Sequence, residues 1–269
     1  MKYRAKQPER TSGPPVANPA VKYDVVYADD DLLVIGKPAG LVTQPGLGHL
    51  KDSLLNGLFA QYGRQLHQLG PRRDWGLLHR LDRQTSGLLV VALRAAAYDA
   101  LREDFEQRRL DKHYLTIVFG VPVPAQGVVQ ARLKEIHTDI KKVIISRSGE
   151  EAISAYRVLG STATAALVAV RLKTGRLHQI RAHMMYLGTP VLGDDIYMPD
   201  DLAKKKPPHA PRLCLHAWKL GFKHPSENRW REFTCGLPPD LTAMARRLGL
   251  QPPEQTQRPA DLAGGIEPP

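Results

Sequence analysis

The chain has 269 residues, 42% of them hydrophobic and 24% charged. That apolar share is ordinary for a globular protein and excludes a wholly disordered chain, and no stretch reaches the roughly 18 uncharged apolar residues of a membrane span. Lysine and arginine number 38 against 27 acids, a formal charge of +11. This points to a polyanionic partner such as nucleic acid, with a merely solvated basic surface as the competing reading.

Residues 1–20 hold four basic residues, one acid and several prolines with little to bury, and read as a flexible basic tail without the apolar core of a secretory signal. Tyr23–Val26 and Leu32–Ile35 are short β-rich runs across the hairpin turn Ala28-Asp29-Asp30-Asp31, and Lys37-Pro38-Ala39-Gly40 follows as another turn. Leu88–Leu93 is a continuous apolar run, as in a strand buried on both faces. Ala97, Leu101 and Phe105 recur four apart and predict an amphipathic helix over Ala95–Arg109. Tyr114–Phe119 and Ala165–Leu172 predict strands. Leu177, Ile180, Met184 and Leu187 mark one buried helix face, with Gly188 placed to end it. Trp218–Phe222 and Arg231–Thr234 predict late strands, and residues 251–269, rich in proline and glycine, read as a second tail. Residues 21–250 therefore form one α+β domain rather than a regular βαβ series.

Several chemistries lack their motif. No GxxxxGK[ST], GxGxxG, HExxH or GxSxG occurs, and His178 and His183 are five apart rather than four. Cys214 and Cys235 lack the spacing of a zinc site or disulfide framework and read as two thiols of a reducing cytosol. No metal, no cofactor and a cytoplasmic location are the expectation.

Three segments stand out. In His79-Arg80-Leu81-Asp82-Arg83-Gln84-Thr85-Ser86-Gly87, one carboxylate lies between two arginines just before a buried strand. Flanking cations favour its ionised form, which suits a nucleophile or general base; an ordinary Arg–Asp surface pair is the alternative. In Thr174-Gly175-Arg176-Leu177-His178-Gln179-Ile180-Arg181-Ala182-His183, His178 and Arg181 project together if the apolar positions face the core, at a helix start that attracts anions. In Lys112-His113-Tyr114, the tyrosine is either a stacking platform for a base or a half-buried strand residue.

Read together, from about Tyr23 to Pro238, these segments resemble the RluA-type RNA pseudouridine synthases. Asp31–Val42, with its Lys37-Pro38-Ala39-Gly40 turn, the block His79–Leu89, the Lys112-His113-Tyr114 strand, Thr174–Tyr197 with Gly188-Thr189-Pro190-Val191-Leu192-Gly193-Asp194, and Leu215-His216-Ala217 follow the family's order. The resemblance implies a mixed, largely antiparallel sheet flanked by helices, with a cleft across it. It implies isomerisation of uridine to pseudouridine in ribosomal or transfer RNA, without cofactor or metal. It makes Asp82 the essential aspartate, Tyr114 the residue stacked on uracil, Arg181 the partner of the aspartate, and Arg80 the filler of the gap left by a flipped nucleotide. His79, Arg83, Arg176, His178 and His183 are expected to contact the RNA. A base-releasing glycosylase and a non-catalytic RNA-binding protein are the competing functions. Only about twenty residues precede Tyr23, too few for the extra RNA-binding domain of larger relatives, so recognition is expected to fall to the catalytic domain of a monomer, away from membranes.

Overall fold

A computed structural model describes residues 13–137 and 140–253. In chain order the elements are β1 (Asp24–Ala28), β2 (Leu32–Lys37), α1 (Leu54–Leu69), a 3₁₀ segment (Pro71–Gly76), β3 (Ser86–Ala92), α2 (Ala95–Glu106), β4 (Asp111–Phe119), β5 (Gln126–His137), β6 (Lys141–Ile145), β7 (Glu150–Ser161), β8 (Ala165–Leu172), α3 (Gln179–Tyr186), α4 (Asp200–Ala203), β9 (Leu215–Lys223), β10 (Trp230–Thr234) and α5 (Pro239–Arg247). The strands form one sheet in the order β1-β2-β3-β9-β4-β8-β7-β5-β6, with β10 added to β9. Every pairing is antiparallel except β3 with β9. The fold is α+β.

Local chemistry explains the elements. Asp29 Oδ1 accepts from the amides of Asp31 and Leu32 at 2.8 and 2.9 Å and closes the β1–β2 hairpin as an Asx turn. β2 and β3 are buried along their whole length, as the continuous apolar run of β3 predicts. α2 stops at Glu106, before the expected Arg109, because Arg108 adopts φ +56°. α3 ends into Gly188 at φ +73°. α1 opens on a capping box in which Ser53 and Asn56 bond each other's backbone amides.

Within the expected tail over residues 1–20, residues from Val16 onward are held to the body of the domain. Asn56 Nδ2 donates to Val16 O at 2.7 Å, and Asn18 donates to Asn56 O and Lys51 O at 2.9 and 2.7 Å, so the chain is tied to α1 from Val16 onward. Residues 1–12 of that tail, and 254–269 of the second, lie outside the described residues. Among the described residues no helix is long and apolar enough to cross a membrane.

Two cores flank a seam. One packs β2, β3 and α1, with buried residues of α2; the other packs β4, β8, α3 and α5. Between them β3 and β9 run parallel but pair only through Ser86–His216 and Gly87–Ala217. The loops entering these two strands thus lie side by side at one end of a sheet that opens just beyond them. His216 fastens the seam: its Nε2 donates to Cys235 O at 2.8 Å, so Nδ1 accepts from Ser86 Oγ at 2.9 Å. Arg212, pinned by Asp240 at 2.7 Å, donates to Ser86 Oγ at 3.1 Å and to Gln84 O at 3.2 Å.

Gly87 is required at this seam. It sits at φ +112°, and a Cβ there would lie 2.1 Å from Ala217 O. Gly87→Ala therefore costs about 3 kcal/mol or more, from backbone strain and overpacking together. Urea unfolding checks this; an unchanged midpoint would mean that the seam tolerates a side chain.

Candidate active site

A cleft of about 730 Å³ opens at the seam and is lined by Thr43, Arg80, Asp82, Arg83, His178, Arg181 and Arg212, among others. Asp82 stands on the loop before β3, and the turn after β2 grips that loop on both sides of it. Thr43 Oγ1 donates to Leu81 O at 2.9 Å and accepts from Leu81 N at 3.2 Å. Gly40 N donates to Arg83 O at 2.8 Å, and Arg83 Nε donates back to Gly40 O at 3.1 Å. Lys37 is 1% exposed, and its ammonium donates to Pro38 O, Leu41 O and Arg83 O at 2.9, 2.7 and 3.2 Å. Burial pulls its pKa down to about 7 against the opposing pull of Asp82, while three carbonyls engage all three of its protons.

Arg181 projects from the first turn of α3 and is 5% exposed. Its Nε and Nη2 donate to the two oxygens of Asp194 at 2.7 and 2.8 Å, a bidentate fork, and Nη1 donates to Asp82 Oδ2 at 3.3 Å. Asp194 also accepts from the amides of Ile196 and Tyr197, both at 3.0 Å. Burial alone would lower the pKa of Arg181; the bonds and charge of Asp194, then Asp82, outweigh it and raise it above the ordinary value. His178 Nε2 stands 3.8 Å from the same Asp82 oxygen. Asp82 Oδ1 has no protein hydrogen-bond partner among the described residues.

Tyr114 lies on β4 at a bulge in the pairing with β9, where bulges commonly re-aim side chains beside active sites. It packs against both cores, and its hydroxyl pKa is raised by burial and, less, by the charge of Asp82.

The structure brings together Asp82, Arg181, His178, Arg80 and Arg83. Three other predicted contacts lie elsewhere. His79 accepts from Val90 N at 3.1 Å and packs on Phe105 at 5.0 Å, turned into the helix-covered side of β3. His183 is fully buried on the core face of α3 and shares a 2.9 Å hydrogen bond with Ser154. Arg176 bonds Glu151 O at 3.1 Å and pairs with Glu150, in a second hollow of about 430 Å³ with Lys134 and Leu177. The residues that sequence reasoning left without a role are Lys37, Asp194, Tyr197 and Arg212. Lys37, Asp194 and Tyr197 stand in stretches singled out by the resemblance, but only the fold shows what they hold.

Asp29, Asp31 and His224 have the spacing of metal ligands. Asp29 Oδ2, however, already meets the Tyr27 hydroxyl at 2.9 Å and His224 Nε2 at 2.8 Å, and its Oδ1 closes the hairpin. Asp29 and His224 are thus engaged in a hydrogen-bonded turn, and the Asp31 carboxylate faces Arg94 at 3.7 Å.

The family model for RNA pseudouridylate synthase matches residues 31–186. Ribosomal large subunit pseudouridine synthase D of Nitrosomonas europaea is 36% identical, over 89% of this chain and 69% of that protein. The uncharacterized RNA pseudouridine synthase of Chloroflexus aurantiacus is 40% identical, over 79% of this chain and 65% of that protein. The chain spans about two thirds of the length of these relatives. The solved structure of human RNA Pseudouridylate Synthase Domain Containing 4 superposes with a TM-score of 0.67 at 26% identity, covering 86% of this chain and 94% of that one. The sheet, its seam and the matched stretch define a pseudouridine synthase fold. This chain belongs to the RNA pseudouridine synthase family, a family of isomerases.

Buried neutral histidines set the acid limit of this architecture. Burial pushes His79 down to about 3, and His183 and His216 to about 4. Each binds its proton more readily unfolded, with a pKa near 6.5, so stability is full above about pH 6.5 and falls as pH drops toward 4. The expected loss is about 1.4 kcal/mol per pH unit for each histidine within that window. Urea midpoints measured from pH 7 to 4.5 check this, and a flat profile would contradict it.

Proposed function

We propose that this protein isomerises specific uridines of ribosomal or transfer RNA to pseudouridine, with Asp82 as the reacting carboxylate. One observation carries the assignment: Arg181 holds Asp82 through one oxygen, at 3.3 Å, in an open, arginine-lined cleft, and the second oxygen has no protein partner among the described residues. The net charge of +11 suits an RNA partner. A monomer, with residues 21–250 as the catalytic domain, is part of this reading.

The reaction breaks the bond between the ribose C1′ and N1 of uracil, turns the base, and joins C1′ to C5; the proton on C5 is lost and N1 gains one. A stacked base cannot reach the cleft, so the nucleotide is flipped out, at a cost of a few kcal/mol. In this reading Arg80, exposed on the cleft lining, occupies the vacated space, and Tyr114, half-buried on β4, stacks on the uracil. Attack on C1′, attack on the pyrimidine ring and removal of a ribose proton all need an ionised carboxylate, the form to which the guanidinium of Arg181 donates. Arg83, exposed at the cleft wall, suits a phosphate contact.

Asp82→Asn keeps the size and removes the charge. The expected result is no detectable pseudouridine when treated RNA is mapped by carbodiimide modification. RNA affinity stays within about tenfold, or about 1.4 kcal/mol. Activity within an order of magnitude of wild type would remove Asp82 from the reaction, and release of free uracil would make the protein a glycosylase.

A further inference from the structure

His178 has an unusual setting. Its backbone is left-handed, at φ +51° and ψ 22°, where α3 begins, a conformation that a residue with a side chain keeps only when its surroundings hold it there. The turn is held by Gln179, whose Oε1 accepts from Thr174 Oγ1 at 2.8 Å and from Arg176 N at 3.0 Å. The imidazole is thereby aimed out of the helix, with Nε2 toward Asp82 at 3.8 Å and Nδ1 toward the Tyr197 hydroxyl at 3.1 Å.

The proton positions follow from the partners. Val143 N donates to Tyr197 Oη at 2.8 Å, and a backbone amide does nothing else. The phenol oxygen is thus an acceptor there and has one proton of its own to give. Among the described residues its other partner is His178 Nδ1. Burial keeps this hydroxyl protonated, raising its pKa to about 12. Burial lowers the pKa of His178; Asp82 and Asp194 oppose this, and Arg181 and Arg80 add to it, so the ring is neutral. With Nδ1 accepting, the single imidazole proton is on Nε2. The opposite tautomer would leave the phenol proton without an acceptor and turn a nitrogen lone pair toward a carboxylate.

We propose that Tyr197 is a positioning residue for the isomerisation: it fixes His178 with the proton on Nε2, so that the imidazole N–H faces Asp82 Oδ2 from 3.8 Å, beyond hydrogen-bond distance in this structure, beside the guanidinium that bonds it, and Oδ1 is left to the nucleotide. This rests on Asp82 being the reacting carboxylate. The phenol also ties the arrangement to Arg181, since its ring lies 5.1 Å from that guanidinium and meets the His178 ring edge-on at 5.7 Å. Tyr197→Phe keeps both ring contacts and removes only the hydroxyl.

The test uses the full chain with ¹⁵N-labelled imidazoles. Long-range ¹H–¹⁵N correlation spectra of the RNA-free protein report the His178 tautomer without any turnover. In wild type, His178 is expected to carry its proton on Nε2. In Tyr197→Phe the spectrum shifts toward a mixture, single-turnover pseudouridine formation falls about tenfold, and RNA affinity stays within about twofold. Should Tyr197→Phe fail to fold, His178→Gln and His178→Asn carry the test. The glutamine amide reaches the position of Nε2, whereas asparagine suits the left-handed backbone but stops short. The glutamine variant is expected to outpace the asparagine variant by about tenfold. Equal rates for these two, an unchanged spectrum and rate in Tyr197→Phe, or a proton on Nδ1 in an active wild type would overturn the proposal. A wild type with the Nε2 tautomer that forms no pseudouridine would instead overturn the functional reading on which it rests.

Discussion

A guanidinium removed from water, bridging two carboxylates, is the constraint on which this site depends. Arg181 is 5% exposed, and an uncompensated charge at that depth is strongly destabilising. Asp194 supplies the compensation with a bidentate fork at 2.7 and 2.8 Å, and is itself held by two backbone amides. With the Nε–Nη2 edge of the guanidinium committed to Asp194, Nη1 is left to donate, and Asp82 lies within its reach. The loop before β3, the start of α3 and the loop after it must therefore converge to satisfy one buried cation. The geometry of the proposed site and the burial of charge are here the same requirement.

The sheet makes that convergence possible. A continuous antiparallel sheet would seal its own interior, but the two-residue parallel contact between β3 and β9 leaves an opening between two separate cores. The loops entering both strands reach the opening from the same end. Lys37, Thr43 and Gly40 clamp one loop, and Arg212 clamps the other. The side chains of Lys37, Thr43 and Arg212 and the amide of Gly40 meet backbone carbonyls, as expected where a loop must be held without a regular hydrogen-bond ladder.

Much of this was legible in the sequence. The β1–β2 hairpin, buried β3, α2, β4, β8, α3 and β9 follow from apolar spacing and turn residues, and the segments around Asp82 and Arg181 stand out by their density of charge. What was not legible has physical reasons. α1 contains Gly57 and Gly63 and departs from helical geometry at Tyr62, so its pattern is broken. β5 alternates apolar residues with lysine, arginine and glutamate, which reads as solvated chain until its partners are known. Asp194 sits among glycine and proline, and its importance comes from burial that no local pattern reports. His79 and His183 drew attention through their neighbours in sequence. His183, three residues after Ile180, shares that residue's inward face, a signal that spacing alone contains.

The most direct test compares two adjacent carboxylates. Asp194→Asn removes the charge that balances Arg181, while Asp195→Asn removes an exposed one 3.9 Å from the same guanidinium. If the buried fork aims Arg181 at Asp82, single-turnover pseudouridine formation by Asp194→Asn falls by about a hundredfold, as small misplacements of reacting groups do, with RNA affinity nearly unchanged. Asp195→Asn, an exposed pair, stays within about twofold of wild type. Equal rates for the two variants would contradict the account, because Asp82 would then be held without the buried arginine.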